Sequence, residues 1–248
     1  MILLRSVAYQ IFLVVTVVFF GIAIAVSGRL LPYRVVGELA RIWARANLAA
    51  LKYICRLNYR IVGIQHLPKS AAIVVCKHQS AWETIALRKM LPINQTWIVK
   101  RELLSIPVFG SALRQFAPIA IDRSAGLRAI KQLIREGIES LRVGNLIIIF
   151  PEGTRVPIGS RVPYSIGGAL LAERTGHPVI PIAHNAGVFW GRRSLIKYPG
   201  TIDIVVGSPI VTKERTAQEI NKDIEEWIEA TASSLPQRPT SVAAISAS

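Results

Sequence analysis

The segment 71–84 contains a histidine and a glutamate whose spacing suits proton transfer. Residues 71–76 are apolar and rich in β-branched side chains, which predicts a short buried strand. His78 follows that strand, and Glu83 comes five residues after the histidine. A carboxylate that holds a histidine fixes its tautomer and stabilises the imidazolium ion, so a histidine in this setting can act as a general base.

The same segment also has the spacing of an ordinary helix cap. Ser80 precedes a helical pattern, and Glu83 follows it by three residues, as in a capping box. On one continuous helix, His78 and Glu83 would diverge by about 140°. They can meet only if His78 lies on the turn before the helix and folds back toward its first turn. The segment alone leaves open a helix cap with a surface histidine nearby.

A second polar group follows another apolar run. Residues 146–150 predict a strand, and the following proline and Gly153 predict a turn. This turn places Glu152, Thr154 and Arg155 at the carboxyl edge of a sheet, where ligands bind in open α/β folds. The guanidinium of Arg155 suits bidentate binding of a phosphate. A plain polar turn would contain the same residues.

Three more predicted strands end in polar residues. These residues are Lys100 and Arg101, Asp122 and Arg123, and His184 and Asn185. Five strand ends with polar groups along one edge are typical of an α/β active site. Adjacent cations such as Lys100 and Arg101 often only keep the sheet edge solvated, which is the alternative interpretation for this pair. We expect His184 to have a structural or pocket-lining role.

The elements that must position these residues alternate along the chain. The predicted strands are 59–64, 71–76, 97–99, 118–121, 146–150, 179–182 and 201–206. Helical patterns cover 81–90, 126–141, 166–175 and 214–232. Short apolar strands alternating with helices predict an α/β fold with a mixed, largely parallel sheet flanked by helices on both faces.

The chain begins with a segment that suits a membrane. Residues 7–26 form an uncharged apolar run of 20, long enough to cross a bilayer as a helix, although a cleaved signal is also possible. Arg5 precedes the run and four arginines follow it, so a spanning helix would leave the rest of the chain in the cytoplasm. A re-entrant or monotopic hairpin is equally compatible.

Residues 34–57 predict a second, amphipathic helix. The basic side chains of one stripe are Arg34, Arg41, Arg45, Lys52 and Arg56. The opposite side has Val35, Leu39, Ile42, Trp43, Leu51 and Ile54. A basic stripe beside an apolar face with a tryptophan is typical of a helix lying on anionic lipid, although an ordinary helix packed on the domain shows a similar pattern.

Composition agrees with a basic, membrane-associated enzyme. The 248 residues are 51% hydrophobic, and 30 Lys+Arg against 15 Asp+Glu give a formal charge of +15. We expect N-terminal membrane-anchoring helices at 1–57, an α/β domain at 58–235 and a disordered tail at 236–248. Two cysteines in apolar sequence predict a reducing compartment, and the spacing of metal-ligating residues predicts no metal site.

Four motifs, in order, resemble the glycerolipid acyltransferase family. They are KHQSAWE at 77–83, KRELLSIPVFG at 100–110, FPEGTR at 150–155 and VIPIAHN at 179–185. The resemblance covers roughly residues 60–210 and is strongest to bacterial members that acylate 1-acyl-glycerol-3-phosphate to phosphatidic acid in phospholipid biosynthesis. It departs from the family pattern at Glu83, where aspartate is usual.

The resemblance implies a direct transfer. His78, held by Glu83, would remove the proton from the acceptor hydroxyl as it attacks the thioester of acyl-CoA or acyl-carrier protein, with no further cofactor. The family's phosphate-binding positions correspond to Lys100, Arg101 and Arg155, and those that shape the pocket correspond to Glu152, Gly153 and Thr154. The resemblance to bacterial members also implies the bacterial inner membrane as the location, with its anionic surface as the expected partner.

Three other interpretations compete with this one. A nucleic-acid-binding protein would explain the charge, but it would leave the 20-residue apolar run unexplained, and the sequence has no nucleic-acid-binding motif. A membrane-bound esterase would need a nucleophile elbow such as Gly-x-Ser-x-Gly, which this sequence lacks. Acyl transfer to another lyso-lipid acceptor stays open, because the motifs indicate the acyl-transfer reaction and a bound phosphate but say little about the rest of the acceptor.

Overall fold

The computed structural model describes residues 1–237, which form one mixed sheet covered by helices. The strands are β1 (Leu57–Val62), β2 (Ile73–Cys76), β3 (Gln95–Lys100), β4 (Ile119–Ile121), β5 (Leu146–Ile149), β6 (Val179–His184) and β7 (Gly200–Val206). The helices are α1 (Ile2–Ser27), α2 (Tyr33–Cys55), α3 (Trp82–Met90), α4 (Phe109–Arg114), α5 (Leu127–Arg142), α6 (Gly167–Thr175), α7 (Ala186–Phe189) and α8 (Ala217–Ser234). All seven predicted strands are present within two residues of their expected bounds. The short helices α4 and α7 were not predicted.

The strand order brings the polar strand ends together. The sheet runs β1-β7-β6-β2-β5-β3-β4. Strands β6, β2, β5, β3 and β4 are parallel, whereas β7 runs antiparallel to β6 and carries β1 parallel to itself. The predicted mixed, largely parallel sheet is therefore confirmed. All five strand ends that carry polar groups lie at the same edge, with the end of β2 near the middle.

Strand β2 is buried on both faces because helices cover both sides of the sheet. Ile73 and Val75 face a core formed with α5, α6 and α8, while Val74 and Cys76 face a second core formed with α2, α3 and α7. This alternation follows the two-residue period of a strand. A continuous apolar run such as this one is typical of a central parallel strand.

Helix α1 lies along the domain instead of projecting from it. Near its start, the Ser6 Oγ accepts the Lys197 backbone N–H at 2.9 Å. Near its end, Gly21 packs so closely on the loop before α4 that a Cβ at this position would lie 2.7 Å from Val108 Cγ1. The helix is long and apolar enough to cross a membrane, with a mean hydropathy of 2.5 and 17% of its most apolar window buried. Its exposed apolar side chains include Leu4, Ile11, Val15, Phe19 and Ile22.

Helix α2 packs on the domain through a side that only partly coincides with the predicted apolar side. Its buried residues are Val36, Gly37, Ala40, Ala44, Asn47, Leu48, Leu51 and Cys55. Leu51 of the predicted apolar side is buried, but Val35 and Ile42 of that side are exposed. The core-facing side is therefore next to the basic stripe and not opposite it. Within the basic stripe, the Arg41 guanidinium donates to the Glu38 carboxylate and to the Leu91 carbonyl.

Packing crosses the predicted boundary at residue 57. Tyr9 of α1 and Leu51 of α2 belong to the same buried cluster as Leu57 and Ile182 of the sheet. The N-terminal helices are therefore part of the main core, and we expect their removal to destabilise the sheet domain. Of the tail predicted at 236–248, residues 238–248 lie outside the described residues.

Candidate active site

His78 and Glu83 meet in the way that the sequence required. The His78 Nδ1 lies 2.8 Å from the Glu83 Oε1. His78 is on the turn between β2 and α3, and Glu83 is in the first turn of the helix. The histidine side chain is 15% exposed, and the glutamate side chain is fully buried.

The turn before α3 is built around the Glu83 carboxylate. Its Oε1 also accepts the backbone N–H groups of Gln79 at 2.9 Å and Ser80 at 2.8 Å. The prediction that Ser80 is the helix N-cap is wrong by one residue, because the helix begins at Trp82 after Ala81, and the Ser80 hydroxyl accepts the Trp82 N–H. The carboxylate therefore fixes both the backbone and the ring of the residues that precede the helix.

The charge of Glu83 determines the tautomer of His78. Burial alone would raise the pKa of the Glu83 carboxyl, but the adjacent rings of His184 and His78 and a backbone amide outweigh it, so its pKa lies below the ordinary value. An ionised carboxylate only accepts hydrogen bonds, so the His78 Nδ1 carries the proton. The Nε2 of neutral His78 is then the basic nitrogen. The ring stacks on Phe150 with centroids 4.1 Å apart.

A buried ion network holds the backbone beneath His78. The Lys77 side chain is 2% exposed, and its ammonium contacts the carboxylates of Glu229 and Glu152, the second at 3.3 Å. Tyr164 donates to Glu229 at 2.9 Å. The His78 backbone N–H donates to the Glu152 Oε1 at 3.2 Å. The network therefore joins the ends of β2 and β5 to helix α8.

This network gives Glu152 a different position from the other residues of its motif. Its side chain is fully buried, and burial raises its pKa above the ordinary value although Lys77 opposes that shift. Gly153, Thr154 and Arg155 line a cavity in front of His78, whereas Glu152 supports the histidine from behind. Gly153 has a φ of 71°, which favours glycine in the predicted turn.

A cavity of about 610 Å³ opens in front of His78. One part of its wall is apolar and comes from α1, α2 and α4 together with the end of β3. These apolar residues include Phe20, Ile24, Trp43, Trp97, Leu113 and Phe116. A wall of this kind suits a hydrocarbon chain, and the exposed apolar face of α1 lies beside it.

The cavity wall is also strongly basic. Its cations are Arg88, Lys100, Arg155, Arg192 and Arg193. Among the described residues, no aspartate or glutamate lines the cavity. Lys100 and Arg155 thus lie where the sequence placed them, whereas Arg101 is exposed and outside the lining. The wall is suited to an anionic ligand.

Arg88 contributes a buried positive charge inside the cavity. Its guanidinium lies 4.5 Å from the Phe116 ring centroid and 5.3 Å from that of Trp97. Burial lowers its pKa to about 10, which still leaves it charged at neutral pH. The sequence signal for Arg88 is its spacing of four residues from Thr84 on α3, which places both on the cavity side.

His184 supports the site from within the core. It is fully buried, and its Nε2 donates to the Lys77 carbonyl at 2.9 Å while its Nδ1 accepts the Ala186 N–H at 3.2 Å. This pattern requires the neutral ring, and burial lowers the pKa of His184 accordingly. Its position agrees with the expected structural role.

Comparison with known proteins defines the class of this enzyme. Residues 58–185, which contain His78, Glu83, Lys100 and Arg155, match the family model described as Acyltransferase. The chain is 42% identical over 194 residues to the 1-acyl-sn-glycerol-3-phosphate acyltransferase of Pseudomonas aeruginosa, an alignment that covers 76% of this chain and 74% of that protein. The chain therefore belongs to the acyltransferase family and is an acyltransferase.

More distant relatives agree with this assignment. The human 1-acyl-sn-glycerol-3-phosphate acyltransferase alpha is 29% identical over 178 residues, which cover 71% of this chain and 63% of that protein. The crystal structure of the 1-acyl-sn-glycerophosphate acyltransferase from Thermotoga maritima matches with a TM-score of 0.77 at 24% identity, covering 94% of this chain and 95% of that one. That match shows that the two proteins share a fold.

Proposed function

We propose that this enzyme transfers a fatty acyl group from a thioester donor to the free hydroxyl of 1-acyl-sn-glycerol-3-phosphate and so forms phosphatidic acid. The observation that carries the proposal is the 2.8 Å contact between His78 and Glu83 at the wall of a cavity that is lined by both apolar and basic side chains. An acyl chain and a phosphate are the two parts of this acceptor. The names of the relatives support the same substrate.

The geometry suits a single direct transfer. The Nε2 of His78 takes the proton from the acceptor hydroxyl while the hydroxyl oxygen attacks the thioester carbonyl. Collapse of the tetrahedral intermediate breaks the carbon–sulfur bond, and the proton passes from His78 to the leaving thiolate. Glu83 stabilises the imidazolium between these steps.

Neither nucleophilic side chain next to this turn is placed for a covalent intermediate. Cys76 is fully buried, and burial raises the pKa of its thiol well above the ordinary value. Ser80 is also fully buried, and its hydroxyl is engaged with the Trp82 N–H. A nucleophile must reach the carbonyl carbon, so both positions favour direct transfer.

Lys100 and Arg155 are our assignment for the acceptor phosphate. Both line the cavity at the ends of β3 and β5, on the same side of His78 in the sheet. A guanidinium and an ammonium together match a phosphate dianion in charge and geometry. Arg101 stays a prediction, and its exposed side chain suits a contact outside the cavity.

The N-terminal helices would hold the site at a membrane surface. Because α1 contacts the domain near both of its ends, its exposed apolar face suits a helix lying in the interface instead of across the bilayer. The basic side chains Arg45 and Lys52 are exposed on α2, where they would meet anionic lipid. The cytoplasmic side of the membrane, where thioester donors are made, is the expected location.

An acceptor panel tests the proposed function. Membranes or detergent micelles containing the purified chain are given a labelled acyl-CoA with 1-acyl-glycerol-3-phosphate, lysophosphatidylcholine, lysophosphatidylethanolamine or a lyso-aminolipid, and the lipids are separated. We expect labelled phosphatidic acid as the main product. Preferred labelling of another acceptor would contradict the substrate assignment, and labelled free fatty acid alone would indicate an esterase.

Replacing Arg155 by alanine should impair use of the acceptor. Loss of a bidentate, charge-assisted contact is expected to raise the KM for 1-acyl-glycerol-3-phosphate by about 10- to 100-fold, because such contacts contribute on the order of 1.5–3 kcal/mol. Saturation curves for both substrates measure the effect. A KM change confined to the donor would mean that Arg155 is misassigned. Arg215→Ala, which removes an ion pair between the segment before α8 and Asp223 of that helix, is the control.

Substitutions of Glu83 should distinguish the effect of its charge on activity from the effect of its side-chain length. Glu83→Gln keeps an acceptor oxygen but removes the charge that stabilises imidazolium, so we expect kcat to fall about 10²-fold or more. Glu83→Asp keeps the charge on a shorter arm, as is usual in the family, and should retain substantial activity. Thermal unfolding verifies that both variants fold. An inactive aspartate variant that is folded would show that the longer arm is needed to reach His78.

A further inference from the structure

A turn after α7 presents two arginines that the proposed chemistry leaves without a role. The Ser194 N–H donates to the Gly191 carbonyl at 3.1 Å, so Arg192 and Arg193 occupy the two central positions of the turn. Both line the cavity and both are exposed. Arg193 has a φ of 56°, in the left-handed region that favours glycine, so this non-glycine residue adopts a strained backbone conformation.

The turn is held in place by its neighbours. The buried indole of Trp190 donates to the Ser194 carbonyl at 3.1 Å. The Ser194 hydroxyl in turn accepts the Ile196 N–H at 3.1 Å. The Trp190 ring also packs edge-on against Tyr9 of α1. The two arginines therefore project from a fixed support.

The two cation pairs follow strands on opposite sides of β2 in the strand order. His78 follows β2, which lies between β6 and β5 in the sheet. Arg155 follows β5 and Lys100 follows β3, whereas Arg192 and Arg193 follow β6 through α7. The chain thus brings one cation pair to the cavity from each side of β2.

The charges indicate two separate anions. Neither Arg192 nor Arg193 forms an ion pair with a carboxylate in residues 1–237. One phosphate dianion is matched by Lys100 and Arg155, and Arg88 is buried against the Trp97 and Phe116 rings. The exposed pair Arg192 and Arg193 is left unmatched. A direct transfer requires the donor thioester and the acceptor hydroxyl to reach His78 together. The anion on the second side therefore belongs to the donor.

We infer that Arg192 and Arg193 bind phosphate groups of the acyl donor. Both CoA and carrier protein hold the thioester on a phosphopantetheine arm, so a phosphate ester is the chemistry that the two donors share. This inference rests on the proposed function, since it assigns the second substrate of the same reaction. It also makes the turn the element that positions the thioester opposite the acceptor hydroxyl.

The test compares three donors that carry the same acyl chain: acyl-CoA, acyl-carrier protein and acyl-pantetheine, which lacks phosphate. In the full-length Arg192→Gln/Arg193→Gln variant, the KM for acyl-CoA should rise about 10- to 100-fold. The KM for acyl-pantetheine and for 1-acyl-glycerol-3-phosphate should change less than about twofold, within the range of ordinary surface substitutions. Arg135→Gln/Arg142→Gln on the exposed face of α5 is the control with the same loss of charge.

Each outcome of this comparison decides the inference. A raised KM for both acyl-CoA and acyl-carrier protein supports it and assigns the phosphopantetheine phosphate, whereas a rise for acyl-CoA alone supports it and assigns the nucleotide phosphates. Four results would overturn it. They are a raised KM for the acceptor, an equal rise in the KM for acyl-pantetheine, a rise in the KM for acyl-carrier protein alone, and no change in any KM. If the unsubstituted chain uses none of the donors, the proposed function itself fails.

Discussion

Replacing His78 by alanine is expected to lower acyl transfer by about 10²–10⁴-fold or more, because the reaction loses its general base. His78 lines the cavity, and its Nδ1 is held by Glu83 at 2.8 Å, which leaves Nε2 as the basic atom. The turn itself should survive the substitution. Its backbone is held by the carboxylates of Glu83 and Glu152, which bond to main-chain N–H groups.

Two controls separate chemistry from folding in this variant. His66→Ala removes a histidine on the turn after β1, where the ring contacts the Val206 carbonyl, and should leave turnover near normal. The thermal midpoint and membrane association of the His78 variant should match those of the unsubstituted chain. Near-normal turnover of a folded His78→Ala protein would contradict the proposed mechanism.

Replacing Lys77 by methionine should lower the free energy of unfolding by about 3–5 kcal/mol, because it leaves buried carboxylates without their cation. Glu152 and Glu229 share that cation, and both lie in the core behind His78. We expect a loss of activity as well, since the Glu152 carboxylate also holds the His78 backbone. Urea unfolding of the detergent-solubilised protein measures the change.

An exposed lysine provides the comparison for Lys77. Lys222 pairs with Glu226 on α8 at 3.9 Å, and its side chain is 71% exposed. Exposed ion pairs contribute about 0–1 kcal/mol, so Lys222→Met should leave the unfolding midpoint almost unchanged. Equal effects of the two substitutions would show that the buried network does not support the site.

The sheet and the central pair of the site were predictable because their signals are local. Apolar runs such as 71–76 and 146–150 mark buried strands, and parallel strands place their polar ends at one edge. His78 and Glu83 are five residues apart, so a single turn decides whether they meet. The rotation of a helix per residue is enough to show that this turn must precede the helix.

Other parts of the site depend on contacts between distant segments. Lys77 and Glu229 are 152 residues apart in the chain, and no periodicity links them. The sequence motifs end before Arg192 and Arg193, which line the cavity on a turn that follows Trp190 and its contact with Tyr9. The core-facing side of α2 could not be chosen from the sequence, because apolar residues such as Val35, Leu48 and Leu51 lie on several of its sides and only docking selects one.

Mass spectrometry of the intact protein, mixed with acyl-CoA in the absence of acceptor, tests direct transfer at His78 most simply. We expect the mass to stay that of the unmodified chain, with free CoA released only after 1-acyl-glycerol-3-phosphate is added. An increase by one acyl group that disappears on addition of the acceptor would contradict this mechanism. It would show that a side chain of the protein, and not the acceptor hydroxyl, attacks the thioester.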